Sequence, residues 1–101
     1  MTKTDLPSSR DGRFRVTESK WDSNGSFRVV ILDTRDSSVG ETVPPDVIAR
    51  ERRAIRDLAR RVDPMGRVQW VRTDGVSVVA TDDGPRLEYR LTASRLDPSY
   101  R

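Results

Sequence analysis

One segment near the middle of the chain has the periodicity of a helix, and it limits the possible folds more than any other feature. The apolar residues that share one stripe at the helical period are Ile48, Ile55, Leu58, Ala59 and Val62. Pro44-Pro45-Asp46 precedes this stripe, and proline and an acidic residue are both favoured in a first helical turn. Asp63-Pro64 follows it, and proline disfavours helical geometry in the residue before it. The pattern predicts an amphipathic helix over residues 45–62.

Two strand-like segments precede this helix. Residues 13–17 alternate charged and apolar side chains, as a half-buried strand does. Residues 27–32 form the most apolar run of the chain, with β-branched residues in its middle. Between them lies Asp22-Ser23-Asn24-Gly25, which is rich in residues that favour turns. We therefore expect a β-hairpin at this end of the domain.

Two Asp-Gly pairs divide the last third of the chain into three strand-like segments. Asp74-Gly75 separates residues 68–73 from residues 76–81, and Asp83-Gly84 is followed by a third segment, residues 86–92. Asp-Gly is a preferred pair for the two-residue type I′ turn, so these segments predict a three-stranded meander.

The predicted fold class is α+β, with two layers and the element order β-β-α-β-β-β. We expect a mostly antiparallel sheet with one amphipathic helix packed on one face, because each element must bury its apolar side. A chain of 101 residues has room for one such domain. The domain is expected to span residues 13–93, between flexible tails at residues 1–12 and 94–101.

The two predicted turns assign the side chains of the meander to two faces of the sheet. The face expected to pack on the helix collects Val71, Val76, Val78, Ala80, Leu87, Tyr89 and Leu91. The opposite face, called here the Trp70 face, collects Val68, Trp70, Arg72, Ser77, Val79, Thr81, Arg86, Glu88 and Arg90. Tryptophan and arginine are enriched where protein interfaces are strongest, and they also suit stacked bases and phosphates. In the alternative interpretation, the N-terminal hairpin with Phe14 and Trp21 folds over this face and buries it.

The predicted helix carries the positive charge of the chain. It contains six arginines and, counting Asp46, three acidic residues, a net charge of +3 that equals that of the whole chain. The arginines opposite the apolar stripe form an arginine ridge: Arg50, Arg53, Arg56, Arg60 and Arg61. Such a ridge suits phosphates or an acidic protein surface. The alternative is a solvated helix face on which Asp57 pairs with Arg53 or Arg61.

Most catalytic chemistry lacks its usual residues in this sequence. Histidine and cysteine are both absent, which removes the commonest general base, metal ligand and thiol nucleophile. Asp33, Asp36, Asp82 and Asp83 could hold magnesium if their loops converged, but turn chemistry explains Asp82 and Asp83, and Asp33 ends a strand, where short polar residues are expected. We expect no enzyme activity, no cofactor and no metal site. No apolar run is long enough to cross a membrane, and a cytoplasmic location is expected.

These observations predict a non-catalytic interaction or adaptor module that binds a protein partner or self-associates. No membrane contact and no small-molecule ligand are inferred. One alternative is a small basic nucleic-acid-binding protein. A further alternative is a minimal RNA-cleaving enzyme of the toxin type, which would use arginine with Tyr89 or Tyr100. The residues expected to contact a partner are Trp70, Arg72, Val79, Arg86 and Arg90 on the sheet, and Arg50, Arg53, Arg56, Arg60 and Arg61 on the helix.

Overall fold

A computed structural model describes residues 6–22, 25–35, 43 and 45–95 of the chain. Its elements follow the order β1 (Phe14–Asp22), β2 (Ser26–Asp33), α1 (Val47–Arg60), β3 (Trp70–Thr81) and β4 (Gly84–Ser94). The four strands form one antiparallel sheet, and α1 packs on one of its faces. The predicted α+β class is confirmed, but β3 is a single strand where two were predicted.

The strands lie in the order β1-β2-β4-β3, so β2 and β4 are central and β1 and β3 are the edges. A segment that was predicted to belong to a tail lies along the edge of β1. Ser8 forms an antiparallel bridge with Arg15, and the Val16 N–H donates to the Pro7 carbonyl at 3.0 Å. The tail expected over residues 1–12 is therefore joined to the sheet from Pro7 onward, while residues 1–5 and 96–101 lie outside the described residues.

The predicted turn at Asp74-Gly75 is wrong, because this pair forms a β-bulge inside β3. Thr73 lies opposite Leu91 and Gly75 lies opposite Arg90, so Asp74 is the extra residue. Gly75 is not among the glycines with positive φ, which a type I′ turn would require. A Cβ at Gly75 would meet only the end of the flexible Arg90 side chain, with the Nη2 atom at 2.7 Å. β4 is long enough to pair with both halves of β3, and one continuous ladder results.

The second turn exists but is displaced by one residue. Thr81 pairs with Gly84, which leaves Asp82 and Asp83 as the loop. A type I′ turn at Asp83-Gly84 would need positive φ at both positions, whereas only Gly84 has it, with φ +107°. The predicted turn would set Leu87 opposite Ala80, whereas Leu87 lies opposite Val78 in the structure. The register between β3 and β4 is therefore shifted by two residues from the prediction.

The assignment of side chains to faces nevertheless agrees with the structure for most of the meander. The predicted two-residue turn would place Thr73 and Val76 on the same face of the sheet, and the observed bulge at Asp74 does so too. The residues after Gly75 therefore lie on the predicted faces in either structure. On the helix-facing side, the buried residues are Val71, Leu87, Tyr89 and Leu91, with Val76 and Val78 partly buried against the core. Ala80 lies on this side by register but is exposed, and the assignment of Val68 to the Trp70 face is wrong, because Val68 packs against the core.

The helix α1 lies within the predicted range and buries the predicted stripe. Ile55, Leu58 and Ala59 are buried, and Ile48 and Val62 pack at the margin of the core. Val47 is also buried, although it was not assigned to the stripe.

The N-terminal hairpin supplies one half of the sheet and does not cover the Trp70 face. Phe14 and Val16 of β1 and Val29 and Ile31 of β2 point into the same core as the helix stripe. The alternative in which this hairpin folds over the Trp70 face is therefore wrong, because β1 pairs with β2 and β2 pairs with β4 in the same layer.

Candidate binding surfaces

The arginine ridge lies on the outer side of α1, away from the sheet. A shallow surface depression on this side is lined by Ala49, Arg50, Arg52, Arg53, Arg56, Asp57 and Arg60. Arg52 was not assigned to the ridge from the sequence, but it belongs to this surface. Because five of the seven lining residues are arginines, the depression suits an anionic ligand.

The arginines of this surface differ in how their guanidinium groups are engaged. Arg50 pairs with Asp46 at 3.4 Å, Arg60 donates to the Val68 carbonyl at 3.3 Å, and Arg61 donates to the Ser8 carbonyl at 3.0 Å. Within the described part of the chain, the remaining three have no ion pair and no side-chain hydrogen bond: Arg52, Arg53 and Arg56. These three are called here the unpaired arginines.

The Asp57 ion pairs that the alternative interpretation expected are absent among the residues that the structure describes, while the solvated helix face itself stays an alternative. Asp57 forms no ion pair there with Arg53 or with Arg61. Moreover, Arg52 precedes Arg56 by four positions and Arg56 precedes Arg60 by four. Like charges at this spacing destabilise a helix, by roughly 0.2–0.5 kcal/mol for each pair. The helix would be more stable with other residues at these positions.

Glu51, the acid at the centre of α1, is turned toward the sheet and does not neutralise the arginine ridge. The Arg13 guanidinium donates to Glu51 Oε2 at 2.7 Å and to the two carboxylate oxygens of Asp33 at 3.0 and 3.2 Å. Burial opposes the charge of Arg13, but the hydrogen bonds to Asp33 and Glu51 outweigh it and raise the pKa of Arg13. The group joins α1 to β1 and β2 and leaves the outer side of the helix cationic.

Tyr89 lies beneath this group and cannot reach a substrate. Its side chain is fully buried, and its hydroxyl has no hydrogen-bond partner among the described protein atoms. Burial, followed by the nearby carboxylates of Asp33 and Glu51, raises the pKa of Tyr89 to about 12. This removes Tyr89 from the residues proposed for RNA cleavage. Tyr100, the other tyrosine considered, lies outside the described residues.

The Trp70 face occupies the side of the sheet away from α1. Register places Trp70, Arg72, Val79, Arg86 and Arg90 there, as predicted. Its arginines are engaged within the face. Arg72 donates to Asp74 at 2.7 Å, Arg90 to the Ser77 hydroxyl at 2.8 Å, and Arg86 to the Thr34 carbonyl at 3.1 Å.

Trp70 itself is only partly exposed. The Arg72 guanidinium lies 5.8 Å from the centre of its ring, and its Nε1 is buried without a hydrogen-bond partner among the described atoms. The contact predicted through Trp70 stays a prediction. Because the Trp70 face and the arginine ridge lie on opposite sides of the molecule, they do not form one site.

A third surface, which the sequence interpretation missed, is centred on Trp21. The indole is 47% exposed, although it stacks edge-on against Phe27 with ring centres 4.6 Å apart. The Arg95 guanidinium lies 4.5 Å above the Trp21 ring. No spacing signal marks this site, because a bulge between Val16 and Glu18 moves Trp21 to the helix side of the sheet.

Asp63 holds Arg95 in this position. Its carboxylate is buried and accepts two hydrogen bonds from the Arg95 guanidinium, at 2.6 and 2.8 Å. It also accepts from the backbone N–H groups of Met65 at 2.9 Å and Arg67 at 3.0 Å. The hydrogen bond from Arg95 first, and then these backbone bonds, keep the pKa of Asp63 well below its usual range despite burial. In the sequence, Asp63 could be assigned only as the end of a helix.

The described part of the chain contains no cluster of three or more acidic residues placed to hold a metal ion. None of its helices has the length and apolar character needed to cross a membrane. No protein-family model, no curated protein and no solved structure matches this chain. Function must therefore be argued from the surfaces themselves.

Proposed function

We propose that the chain is a non-catalytic binding module that docks an acidic surface of a partner protein against the outer side of α1. The observation that carries this proposal is the state of the three unpaired arginines. Arg52, Arg53 and Arg56 project from one helix face with no acidic partner in the described chain. Their mutual repulsion lowers the stability of the helix, and a role in binding accounts for their presence.

Arginine is well suited to such contacts. The planar guanidinium forms two parallel hydrogen bonds with a carboxylate, and it is more weakly hydrated than the lysine ammonium. A cluster of these groups also speeds the approach of an oppositely charged partner. The unpaired arginines can form such bonds without first giving up an intramolecular ion pair.

The distribution of charge favours an acidic protein over nucleic acid as the partner. A nucleic-acid surface normally spreads positive charge along a path that follows many phosphates. Here three arginines without an acidic partner in the described chain are grouped on one helix of 14 residues, and the Trp70 face mixes its arginines with Asp74 and Glu88. A compact patch of this kind matches a local group of carboxylates on a protein.

Charge reversal on the unpaired arginines tests the proposal. The variant Arg52→Glu, Arg53→Glu, Arg56→Glu is compared with the matched control Arg15→Glu, Lys20→Glu, Arg67→Glu, which changes the net charge equally at exposed positions off the helix. Binding of a fluorescent peptide of alternating Asp and Glu is measured by anisotropy. The first variant should lose binding and the control should retain most of it.

Two results would overturn the proposal. Equal losses in both variants would show that only net charge matters. Tighter binding of a duplex or single-stranded oligonucleotide, with an affinity that falls about 10³-fold or more between 50 and 200 mM salt, would show that the ridge binds phosphates.

A further inference from the structure

The exposed Trp21 lies at the end of the helix that carries the arginine ridge. Asp63 follows the last residue of α1, Arg60, by three positions, and its carboxylate binds Arg95, which covers Trp21. Met65, another exposed apolar side chain with 58% of its surface accessible, is bound to the same carboxylate through its backbone. Trp21 and Met65 therefore surround Asp63 at the C-terminal end of α1.

Trp21 and the unpaired arginines face the same side of the molecule. Trp21 lies opposite Phe27 in the sheet, and Phe27 belongs to the core beneath α1. The indole therefore projects on the helix side of the sheet. The unpaired arginines project from the outer side of that helix, so one ligand can contact both without passing around an edge of the sheet.

The Trp21 indole is held in place before any ligand arrives. Phe27 contacts it at 4.6 Å between ring centres, and Arg95 lies over it at 4.5 Å. Arg95 is itself fixed by two hydrogen bonds to Asp63 and by its backbone N–H, which donates to the Gly25 carbonyl at 3.0 Å. A rigid aromatic side chain loses little conformational freedom on binding, which is why tryptophan often anchors protein interfaces.

We infer that the partner contributes an extended acidic segment that also carries one aromatic residue, with the aromatic ring packed on Trp21. This inference rests on the proposed function and specifies its ligand. The carboxylates lie along Arg52, Arg53 and Arg56, and the aromatic residue lies beyond the C-terminal end of α1. Arg52 and Arg60 are separated by eight helical residues, or about 12 Å along the axis. A peptide of about ten extended residues is roughly 33 Å long, so it covers this distance with about 20 Å to spare for the aromatic residue to extend past the end of α1 toward Trp21.

The test compares two pairs of peptides, each with ten residues of alternating Asp and Glu. Within a pair, one peptide carries Phe where the other carries Ser; this position lies near the N-terminus in one pair and near the C-terminus in the other. Binding is measured by anisotropy for the wild-type protein, for Trp21→Leu, and for the control Val30→Ala, at a partly buried apolar position on the side of the sheet away from α1. Trp21→Leu keeps an apolar side chain against Phe27, and thermal unfolding of each variant verifies that it is folded.

The inference predicts a coupling between the aromatic ring and Trp21. The Phe peptide should bind the wild type at least fivefold more tightly than the Ser peptide, and Trp21→Leu should remove most of this difference while Val30→Ala preserves it. If Trp21→Leu weakens both peptides equally, or neither, the inference is wrong, yet the loss of binding in the triple arginine variant would still support the proposed function. If an oligonucleotide binds more tightly than the Phe peptide and Trp21→Leu abolishes that binding, Trp21 stacks on nucleic-acid bases and the inference is also wrong.

Discussion

Arg95 forms a two-bonded ion pair with the buried carboxylate of Asp63, at 2.6 and 2.8 Å, across 32 positions of the sequence. The pair joins the end of β4 to the segment that follows α1. Through the same carboxylate, two backbone N–H groups of that segment are also bound. One side chain therefore fixes the exit of the helix and, by holding Arg95, the position of Trp21.

Removal of the Asp63 carboxylate should destabilise the protein. We expect Asp63→Ala to lower the free energy of unfolding by about 2–4 kcal/mol, because a buried ion pair and two backbone hydrogen bonds are lost together. Urea denaturation measures the change. The control Asp57→Ala, at an exposed acid without an ion pair in the described chain, should change stability by less than about 0.5 kcal/mol. Similar effects of the two substitutions would contradict the assignment of Asp63.

The same carboxylate should make stability depend on pH in the acid range. The pKa of Asp63 is lower in the folded protein than the ordinary value of 3.8, so the unfolded chain binds the proton more readily. Its contribution is therefore complete above about pH 5 and is lost as the pH falls below 4 toward the folded-state pKa. Urea midpoints measured from pH 6 to pH 2.5 should fall less steeply for Asp63→Asn than for the wild type. Parallel curves would show that Asp63 does not titrate differently in the two states.

Substitution of an unpaired arginine should stabilise the fold while it weakens binding. Arg56→Glu replaces two like-charge pairs, with Arg52 and Arg60, by opposite-charge pairs at the same spacing. We expect a gain of about 0.5–1 kcal/mol in urea at low salt, together with weaker binding of the acidic peptide. Arg15→Glu, an exposed position on β1, is the matched control. A loss of stability in Arg56→Glu would mean that Arg56 has a structural role.

The buried hydroxyl of Tyr89 should contribute nothing to stability. It has no hydrogen-bond partner among the described protein atoms, and a buried polar group without a partner is unfavourable. Tyr89→Phe is therefore expected to leave the free energy of unfolding unchanged or to raise it by up to about 1 kcal/mol. Ile55→Ala, at a fully buried core position, should lower it by about 2–5 kcal/mol in the same denaturation experiment. A loss above 1 kcal/mol in Tyr89→Phe would reveal a partner for the hydroxyl.

The helix and the faces of the sheet could be predicted because they depend on local periodicity. Ile55 and Leu58 share a face of α1 through the geometry of the helix alone, and the alternation of Val76 and Val78 follows from the pleat of a strand. The arginine ridge followed from the same geometry, since residues opposite a buried stripe must face solvent.

The sequence by itself thus determined one helix, a cationic helix surface and the presence of antiparallel hairpins, all of which depend on residues that are close together in the chain. Only the tertiary structure decided the bulges at Thr17 and Asp74, the pairing of Asp63 with Arg95, and the exposure of Trp21. Asp74-Gly75 favours a turn locally, but both halves of β3 pair with β4, so this pair lies inside one strand as a bulge. Trp21 lies on the helix side of the sheet because the bulge at Thr17 shifts the inward and outward positions of the rest of β1 by one residue. The positions of these bulges depend on which distant strand pairs with each segment, and the local sequence pattern does not contain that information.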